Sequence, residues 1–168
     1  WNSSVDLEKD QMHQTLSAGI YHGSEGLLET LGVRLIAGRD FTPDEYLDFE
    51  AMINDSTLQV PATIITRAMS ERLFPGVSGL GKTLYISNHP IRVVGIIENL
   101  LRPGSRNRPE AEAEYSAIMP TRIPYHYGGY VLRVDPDRRA ETITAAVAAL
   151  ERNSKSRIVL EKQTFEEI

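Results

Sequence analysis

One stretch of the sequence matches a known phosphate-binding pattern. Gly76–Thr83 reads G-V-S-G-L-G-K-T, a full match to G-x-x-x-x-G-K-[ST]. That pattern binds nucleotides when a strand precedes the loop and a helix follows it, because the helix N-terminus faces the phosphates. Here we predict the reverse order, with a helix at Arg67–Phe74 before the loop and a strand at Leu84–Ser87 after it. We therefore interpret the loop as a glycine-rich turn and expect no ATP binding.

The other residues that could do chemistry do not form a recognisable constellation. No two histidines stand three or four residues apart, as ligands on one helix face would. Ser78 lies in the beginning of a G-x-S-x-G nucleophile pattern, but Leu80 breaks it. The carboxylates of the 102–114 segment alternate with alanine, which favours a solvated face. We predict no catalytic, cofactor-binding or metal residue in this chain and no enzymatic activity. The residues considered are His13, His22, His89, His126, Glu110, Glu112 and Glu114.

Composition and charge exclude further classes of protein. The chain has 168 residues, 18 Lys and Arg, 23 Asp and Glu, and a net charge of −5. Nucleic acids and anionic lipids bind basic faces, so neither is expected as a main partner. Without cysteine, zinc fingers, thiol catalysis and disulfides are excluded, while the compartment stays open. The longest apolar stretches, Val93–Ile97 and Ala145–Leu150, are far shorter than the ~18 residues of a membrane span.

Helix signals are clearest in four places. Leu27–Leu31 is stopped by Gly32, and Arg67–Phe74 is stopped by a Pro-Gly pair. Thr42 and Glu45 form a capping box, after which Tyr46, Phe49 and Ile53 share one helix face. Asp135-Pro136 opens the longest helix, whose apolar face is Ile143, Ala146, Val147 and Leu150.

Strand signals alternate with these helices and make the fold class α+β, with mixed strand–helix units and β-hairpins. Asn88-His89-Pro90 is the predicted hairpin turn. The first twenty residues are expected only to be extended, and residues 102–114 to be an exposed loop that trypsin cuts first, after Arg102, Arg106 or Arg108. The predicted strands are Val33–Ile36, Val60–Thr66, Thr83–Ser87, Ile91–Ile97, Ser116–Met119, Tyr130–Val134 and Arg157–Glu161.

Several of these segments, in order, resemble the MacB-like periplasmic core domain of ABC transporter permeases, a family that includes FtsX-like permeases. The resemblance spans about residues 25–135. Its most specific stretches are L-G-V-R-L-I-A-G-R-D-F, then L-F-P-G, L-G-K-T and R-V-V-G-I, which begin at residues 31, 73, 80 and 92. In this family the string at Gly76–Thr83, which we call the Walker-like loop, is a structural turn before the hairpin. Ala62–Thr66 and Ile118-Met119-Pro120 also match the family pattern.

The resemblance implies a single extracytoplasmic domain, residues 1–168, lying between the first two transmembrane helices of a permease. It implies a porter-like lobe with a smaller inserted lobe, and no catalytic residues. ATP hydrolysis is then expected on a cytoplasmic subunit, separate or fused. A periplasmic adaptor and a homodimeric or heterodimeric permease are the expected partners, with the whole protein in the bacterial inner membrane. Thr42–Leu58 and the 102–114 loop depart from the usual family pattern.

A second hypothesis stays open at the level of sequence, namely a free-standing extracytoplasmic ligand-binding or sensor module. The chain begins at Trp1 and stops in what resembles an unfinished helix, which favours a piece of a membrane protein. If membrane helices flank the chain, Trp1 and Ile168 are expected on the same side of the domain. Apolar runs of ~20 residues on both flanks would distinguish the permease from the free module.

Overall fold

The structure of the protein is a computed structural model that describes residues 2–102, 110–123, 129–153 and 158–164. The chain divides into two compact units, residues 1–128 and 129–168. Strands and helices alternate along it, so the α+β class predicted from the sequence is confirmed. Trp1, residues 103–109, His126 and Ile168 lie outside the described residues, and so does the predicted placement of the two chain ends.

The first unit contains all the strands that the structure describes. They are β1 Asn2–Asp6, β2 Leu16–Gly23, β3 Leu35–Gly38, β4 Leu47–Asp48, β5 Ala62–Thr66, β6 Thr83–Ile86, β7 His89–Ile97 and β8 Ser116–Arg122. Its helices are α1 Leu27–Leu31, a 3₁₀ turn at Pro43–Glu45, α2 Phe49–Asn54, α3 Arg67–Leu73 and α4 Glu110–Ala113.

Six of these strands close into a ring. The order is β2-β1-β6-β7-β5-β8, and β8 pairs back onto β2 in parallel. β3 continues the edge of β7 beyond β6, because β6 pairs with residues 89–92 of β7 and β3 with residues 95–97. β4 pairs with the end of β8. Closure leaves the six strands without a free edge, apart from their ends.

The core lies on both sides of this sheet. Alternate apolar side chains from all six ring strands form the main cluster, together with Met69 and Leu73 of α3. Ile64, Ile97 and Ile118 face the other way and pack under α1 and β3. Every residue of β5 is therefore buried, which is why this strand appears in the sequence as a continuous apolar and threonine run.

Local signals located most elements of the first unit correctly. α1 ends at Gly32 in the left-handed conformation, and the capping box between Thr42 and Glu45 is present. The strand predicted at residues 33–36 forms at Leu35–Gly38. The predicted β6–β7 hairpin is present, but its turn consists of Ser87 and Asn88, both with positive φ.

Two predictions for the first unit were wrong. Tyr46 is extended and leads into β4, so the helix begins only at Phe49. His89 and Pro90 belong to strand β7, not to the turn. The first twenty residues, expected only to be extended, contain β1 and most of β2, which the sequence analysis did not identify as paired strands.

The described residues of the second unit form one long helix and segments without helix or strand structure. A 3₁₀ turn at Pro136–Arg138 leads into α5, Arg139–Asn153, as predicted. Residues 130–134 and 158–161 form no strand, so both strand predictions were wrong for the residues described. Both segments have β-branched residues, but strand formation needs a hydrogen-bonded partner, which propensity alone does not supply. No helix in the described parts of the chain combines the length and apolar character that a bilayer crossing requires.

Candidate functional site

The Walker-like loop Gly76–Thr83 connects a helix to a strand, as predicted from the sequence. α3 ends at Leu73 and β6 begins at Thr83, so the loop does not open a helix. A strand start supplies neither the aligned peptide dipoles nor the row of free N–H groups that a helix start presents to phosphate.

Most amides of the loop donate to oxygens within the domain. The donors and acceptors are Val77 to the Phe74 carbonyl (3.1 Å), Leu80 to Ser78 Oγ (3.2 Å), Lys82 to the Gly79 carbonyl (3.1 Å), Gly79 to Ser70 Oγ (3.0 Å) and Gly81 to the Val93 carbonyl (2.8 Å). A phosphate would have to displace these bonds to bind, and each replacement would leave a carbonyl or hydroxyl without its donor.

Ser70 is the residue in this region that sequence analysis missed. Ser70 is buried on the face of α3 toward the loop, whereas the apolar residues Ala68 and Phe74 are only half-buried. A Cβ on Gly79 would lie 2.7 Å from Ser70 Oγ, so this glycine allows the loop to approach α3. The position of Ser70, three residues before Leu73, was the signal available.

We expect calorimetric titration with MgATP to show no binding heat up to about 1 mM nucleotide. The physical reason is that the loop amides are already hydrogen-bonded and no helix N-terminus faces them. Lys82→Ala should give the same flat titration, since the Lys82 side chain is exposed and serves no phosphate. A micromolar dissociation constant that Lys82→Ala abolishes would contradict this prediction.

A groove of about 540 Å³ lies beside the loop. Leu80 and Gly81 form one wall of the groove, and the other walls include the end of β3, the middle of β7, Glu45 and Pro61. In the middle of β7, Val94 is an extra residue opposite the step from Thr63 to Ile64 in β5, and this bulge bends the strand. The lining residues are Gly38, Arg39, Glu45, Pro61, Leu80, Gly81, Arg92, Val93 and Val94.

A bidentate ion pair occupies one end of the groove. Arg39 Nη1 and Nη2 donate to Glu45 Oε2 and Oε1, each at 2.7 Å. Glu45 Oε2 also accepts from the Thr42 amide at 2.8 Å. The hydrogen bonds from Arg39 are the largest cause that lowers the pKa of Glu45 to about 2. Glu45 therefore stays ionised at neutral pH, and its negative charge balances the positive charge of Arg39.

The described histidines considered as ligands lie in different parts of the fold, with His13 in the loop before β2, His22 in β2 and His89 in β7. Among the described residues, no three His, Cys, Asp or Glu side chains come together as a metal site. His22 lies 3.3 Å from Thr121 Oγ1 and packs edge-on against Phe49, and burial lowers its pKa. Glu112 lies on α4 and Glu114 follows it, both half-buried, rather than on a freely solvated loop.

Arg122 joins several elements at the end of β8. Its guanidinium donates to Glu25, with Nε 3.0 Å from Oε1, and lies 5.3 Å from the centre of the Tyr46 ring. Asp48 is 3.9 Å away. Burial is the main cause that raises the pKa of Tyr46 to about 12. These contacts hold β4 and the segment before α1 against β8, so we interpret Arg122 as a residue that stabilises the fold.

Arg102 corrects the expectation that residues 102–114 are wholly exposed. Its side chain is 2% exposed and lies across β1 and β2. Nη1 donates to the Ser17 carbonyl at 2.8 Å, and Nη2 donates to Asn2 Oδ1 at 3.0 Å. The predicted early tryptic cut after Arg102 is therefore wrong, because a protease must extend the chain around its site. Arg106 and Arg108 lie outside the described residues.

Comparison with known proteins assigns the fold to a family. Residues 3–150 match the model of the MacB-like periplasmic core domain. The chain belongs to this family. Over 95 residues the MacB-like domain is 27% identical to the macrolide export ATP-binding/permease protein MacB of Pasteurella multocida (strain Pm70). That alignment covers 56% of this chain and 13% of the relative, so the domain spans a small part of the whole relative.

Solved structures share the fold of the MacB-like domain. The extracellular domain of the ABC-type transporter YknZ from Gram-positive bacteria has a TM-score of 0.52 at 17% identity, over 90% of this chain and 74% of that one. The periplasmic region of MacB from Actinobacillus actinomycetemcomitans has a TM-score of 0.50 at 14% identity, over 90% and 64%. A domain of a putative permease from Porphyromonas gingivalis has 0.51 at 17%, over 99% and 73%.

Membership of this family identifies the general type of the domain. It is a MacB-like periplasmic domain of ABC-type transporter permeases, a family that is generally non-catalytic. The match extends beyond the segment, about residues 25–135, on which the sequence resemblance rested, and it includes β1, β2 and most of α5. The likeness predicted from the sequence is therefore confirmed.

Proposed function

We propose that the domain transmits ATP-driven conformational change to the periplasmic side and contacts substrate or partner proteins there. ATP is hydrolysed on a cytoplasmic subunit, separate or fused, and the domain moves as the permease moves. It lies between the first and second transmembrane helices of an inner-membrane permease, which acts as a homodimer or heterodimer and engages a periplasmic adaptor. Membership of the MacB-like family is the observation that carries this proposal.

The closed ring supports a role in transmission. A displacement applied at one strand passes to its neighbours through backbone hydrogen bonds, and six mutually paired strands resist shear better than an open sheet with free edges. Arg122 adds ties from β8 to Glu25 and Tyr46, and Glu98 adds ties to Arg34 and Arg67. Each exposed pair contributes little stability, about 0–1 kcal/mol, so the ring is the main source of stiffness.

The state of the Walker-like loop supports ATP hydrolysis elsewhere. Its amides are hydrogen-bonded within the domain and no helix begins after it. The domain then contributes motion rather than ATP hydrolysis to the transport cycle. The free energy of ATP hydrolysis must reach it through the rest of the permease.

Periplasmic exposure can be tested with thiol labelling, since the chain contains no cysteine. Met12→Cys is placed at a side chain that is 92% exposed. In the full permease, with other cysteines removed, a membrane-impermeant maleimide added to spheroplasts should label Met12→Cys. Ile64→Cys, at a side chain that is 0% exposed, is the matched control and should react only after denaturation. Labelling of Met12→Cys only after lysis would place the domain in the cytoplasm.

Transmission as a rigid body can be tested at one of the two shortest pairings of the ring. β1 and β6 are joined by two residue pairs, Val5–Ile86 and Asp6–Tyr85. Directly opposed residues on antiparallel strands have Cα separations suited to a disulfide. Oxidised Asp6→Cys/Tyr85→Cys should complement a permease-deletion strain as well as its reduced form does. Replacement of the domain by a flexible linker should abolish complementation while ATP hydrolysis continues. Loss of complementation on oxidation alone would show that the ring must open.

A further inference from the structure

We propose that the groove beside the Walker-like loop docks a partner protein through a short segment in which apolar residues adjoin carboxylates. The groove combines a rigid loop, an apolar wall and the unpaired guanidinium of Arg92. The occupant is a peptide segment of the periplasmic partner that the proposed function requires, so the inference deepens that function.

The loop is fixed in shape before any partner arrives. Its amides are bonded to α3, to β7 and to the loop itself, which limits the conformational entropy lost on binding. It nevertheless presents apolar side chains to solvent, with Val77 60% exposed and Leu80 39% exposed. The Leu80 side chain lies against β3, 2.6 Å from the place that a Cβ on Gly38 would occupy. Leu80 thus forms a wall of the groove together with Pro61 and Val94.

Arg92 supplies the free positive charge of the groove. Arg92 Nη2 is 3.9 Å from the position of a Cβ on Gly81, and both residues line the groove. The Arg92 side chain is exposed, and within the described residues it forms no ion pair with a carboxylate. This cation is available to a carboxylate of a partner.

The other arginine that lines the groove, Arg39, is already paired. Glu45 neutralises Arg39 through two hydrogen bonds, which are the main cause that raises the pKa of Arg39. A carboxylate is therefore directed to Arg92, and apolar side chains to the wall formed by Leu80. Because the whole chain has a net charge of −5, attraction of an acidic segment is local rather than long-range.

The test is an amide NMR titration of the 15N-labelled chain with acetyl-Leu-Leu-Glu-Glu-amide. We expect shifts confined to Gly38, Gly81, Val94 and their neighbours, with a dissociation constant of about 1 mM or below. Arg92→Glu should weaken binding at least about fivefold. Lys9→Glu makes the same charge change beside Asp10, which contacts the Asn88 turn at the other end of the β6–β7 hairpin, and should leave affinity unchanged. Unchanged amide spectra away from the mutation confirm that each variant is folded.

Three results would overturn the inference. These are no shift at the groove, equal binding of acetyl-Leu-Leu-Lys-Lys-amide, or equal binding of glutarate, which would indicate a small-anion site rather than a docking surface. Failure here is distinguishable from failure of the proposed function. If the peptide does not bind but the labelling and disulfide experiments give the expected results, the domain transmits motion through another surface.

Discussion

Arg102→Ala is expected to destabilise the first unit by about 3–5 kcal/mol. The substitution removes the donors to the Ser17 carbonyl, to Ser17 Oγ and to Asn2 Oδ1, and it leaves a cavity where a fully buried side chain stood. The Arg102 side chain is itself buried, so its hydrogen bonds are shielded from water, which makes this loss larger than that of a surface arginine. Urea unfolding followed by circular dichroism measures it.

Two variants make this prediction specific. Arg72→Ala removes an exposed arginine at the end of α3 and should change stability by less than about 0.5 kcal/mol. Arg102→Lys keeps the charge but not the planar pair of donors, so its loss should fall between the two. If Arg102→Ala and Arg72→Ala unfold at the same urea concentration, the buried hydrogen bonds to β1 and β2 do not stabilise the ring.

Gly38→Ala is expected to destabilise the domain by about 3 kcal/mol or more. Gly38 has φ +77°, and an added Cβ would lie 2.2 Å from the Val94 carbonyl oxygen. Because that atom is backbone, no side-chain rotation relieves the contact, and the β3–β7 pairing must move apart. The loss should appear as a lower urea midpoint and as faster amide exchange at Leu35–Gly38.

Gly76→Ala separates the clash from the backbone strain. Gly76 has a nearly identical φ, +79°, but nothing lies within 4 Å of the place that an added Cβ would occupy. Its substitution should therefore carry only the left-handed penalty of about 1–2 kcal/mol. If Gly38→Ala and Gly76→Ala lower the free energy of unfolding equally, β3 can move away from β7 at no cost in free energy, and the close approach of the two strands is unimportant.

Elements whose ends are set by neighbouring residues were predicted well from the sequence. Gly32 ends α1, Thr42 and Glu45 form their capping box, and α5 follows Asp135-Pro136. The same holds for the Walker-like loop, because the order helix–loop–strand is decided by local patterns on either side of it. The ordered motifs that begin at residues 31, 73, 80 and 92 also indicated the family.

Features that depend on distant partners could not be predicted in this way. β1 contributes only Val5 to the core, and the alternating Leu16, Ala18 and Ile20 of β2 do not reveal which strands they pair with; both segments become ring strands through pairing with β6 and β8. Residues 130–134 have strand-like composition but gain no partner strand. Pairing is a property of two segments, and a single segment's pattern determines only which of its faces can be buried.

The sequence by itself determined the family, the α+β class and the absence of a phosphate-binding helix start behind the G-x-x-x-x-G-K-T motif, because each depends on short local patterns and on their order along the chain. The tertiary structure alone decided that the strands close into a ring, that Arg102 is buried across β1 and β2, and that Gly38, Leu80 and Arg92 line one groove. The bonds from Arg102 join residues 85 and 100 positions apart in the chain. The free energy of such contacts comes from burial and hydrogen bonds that exist only once the chain has folded.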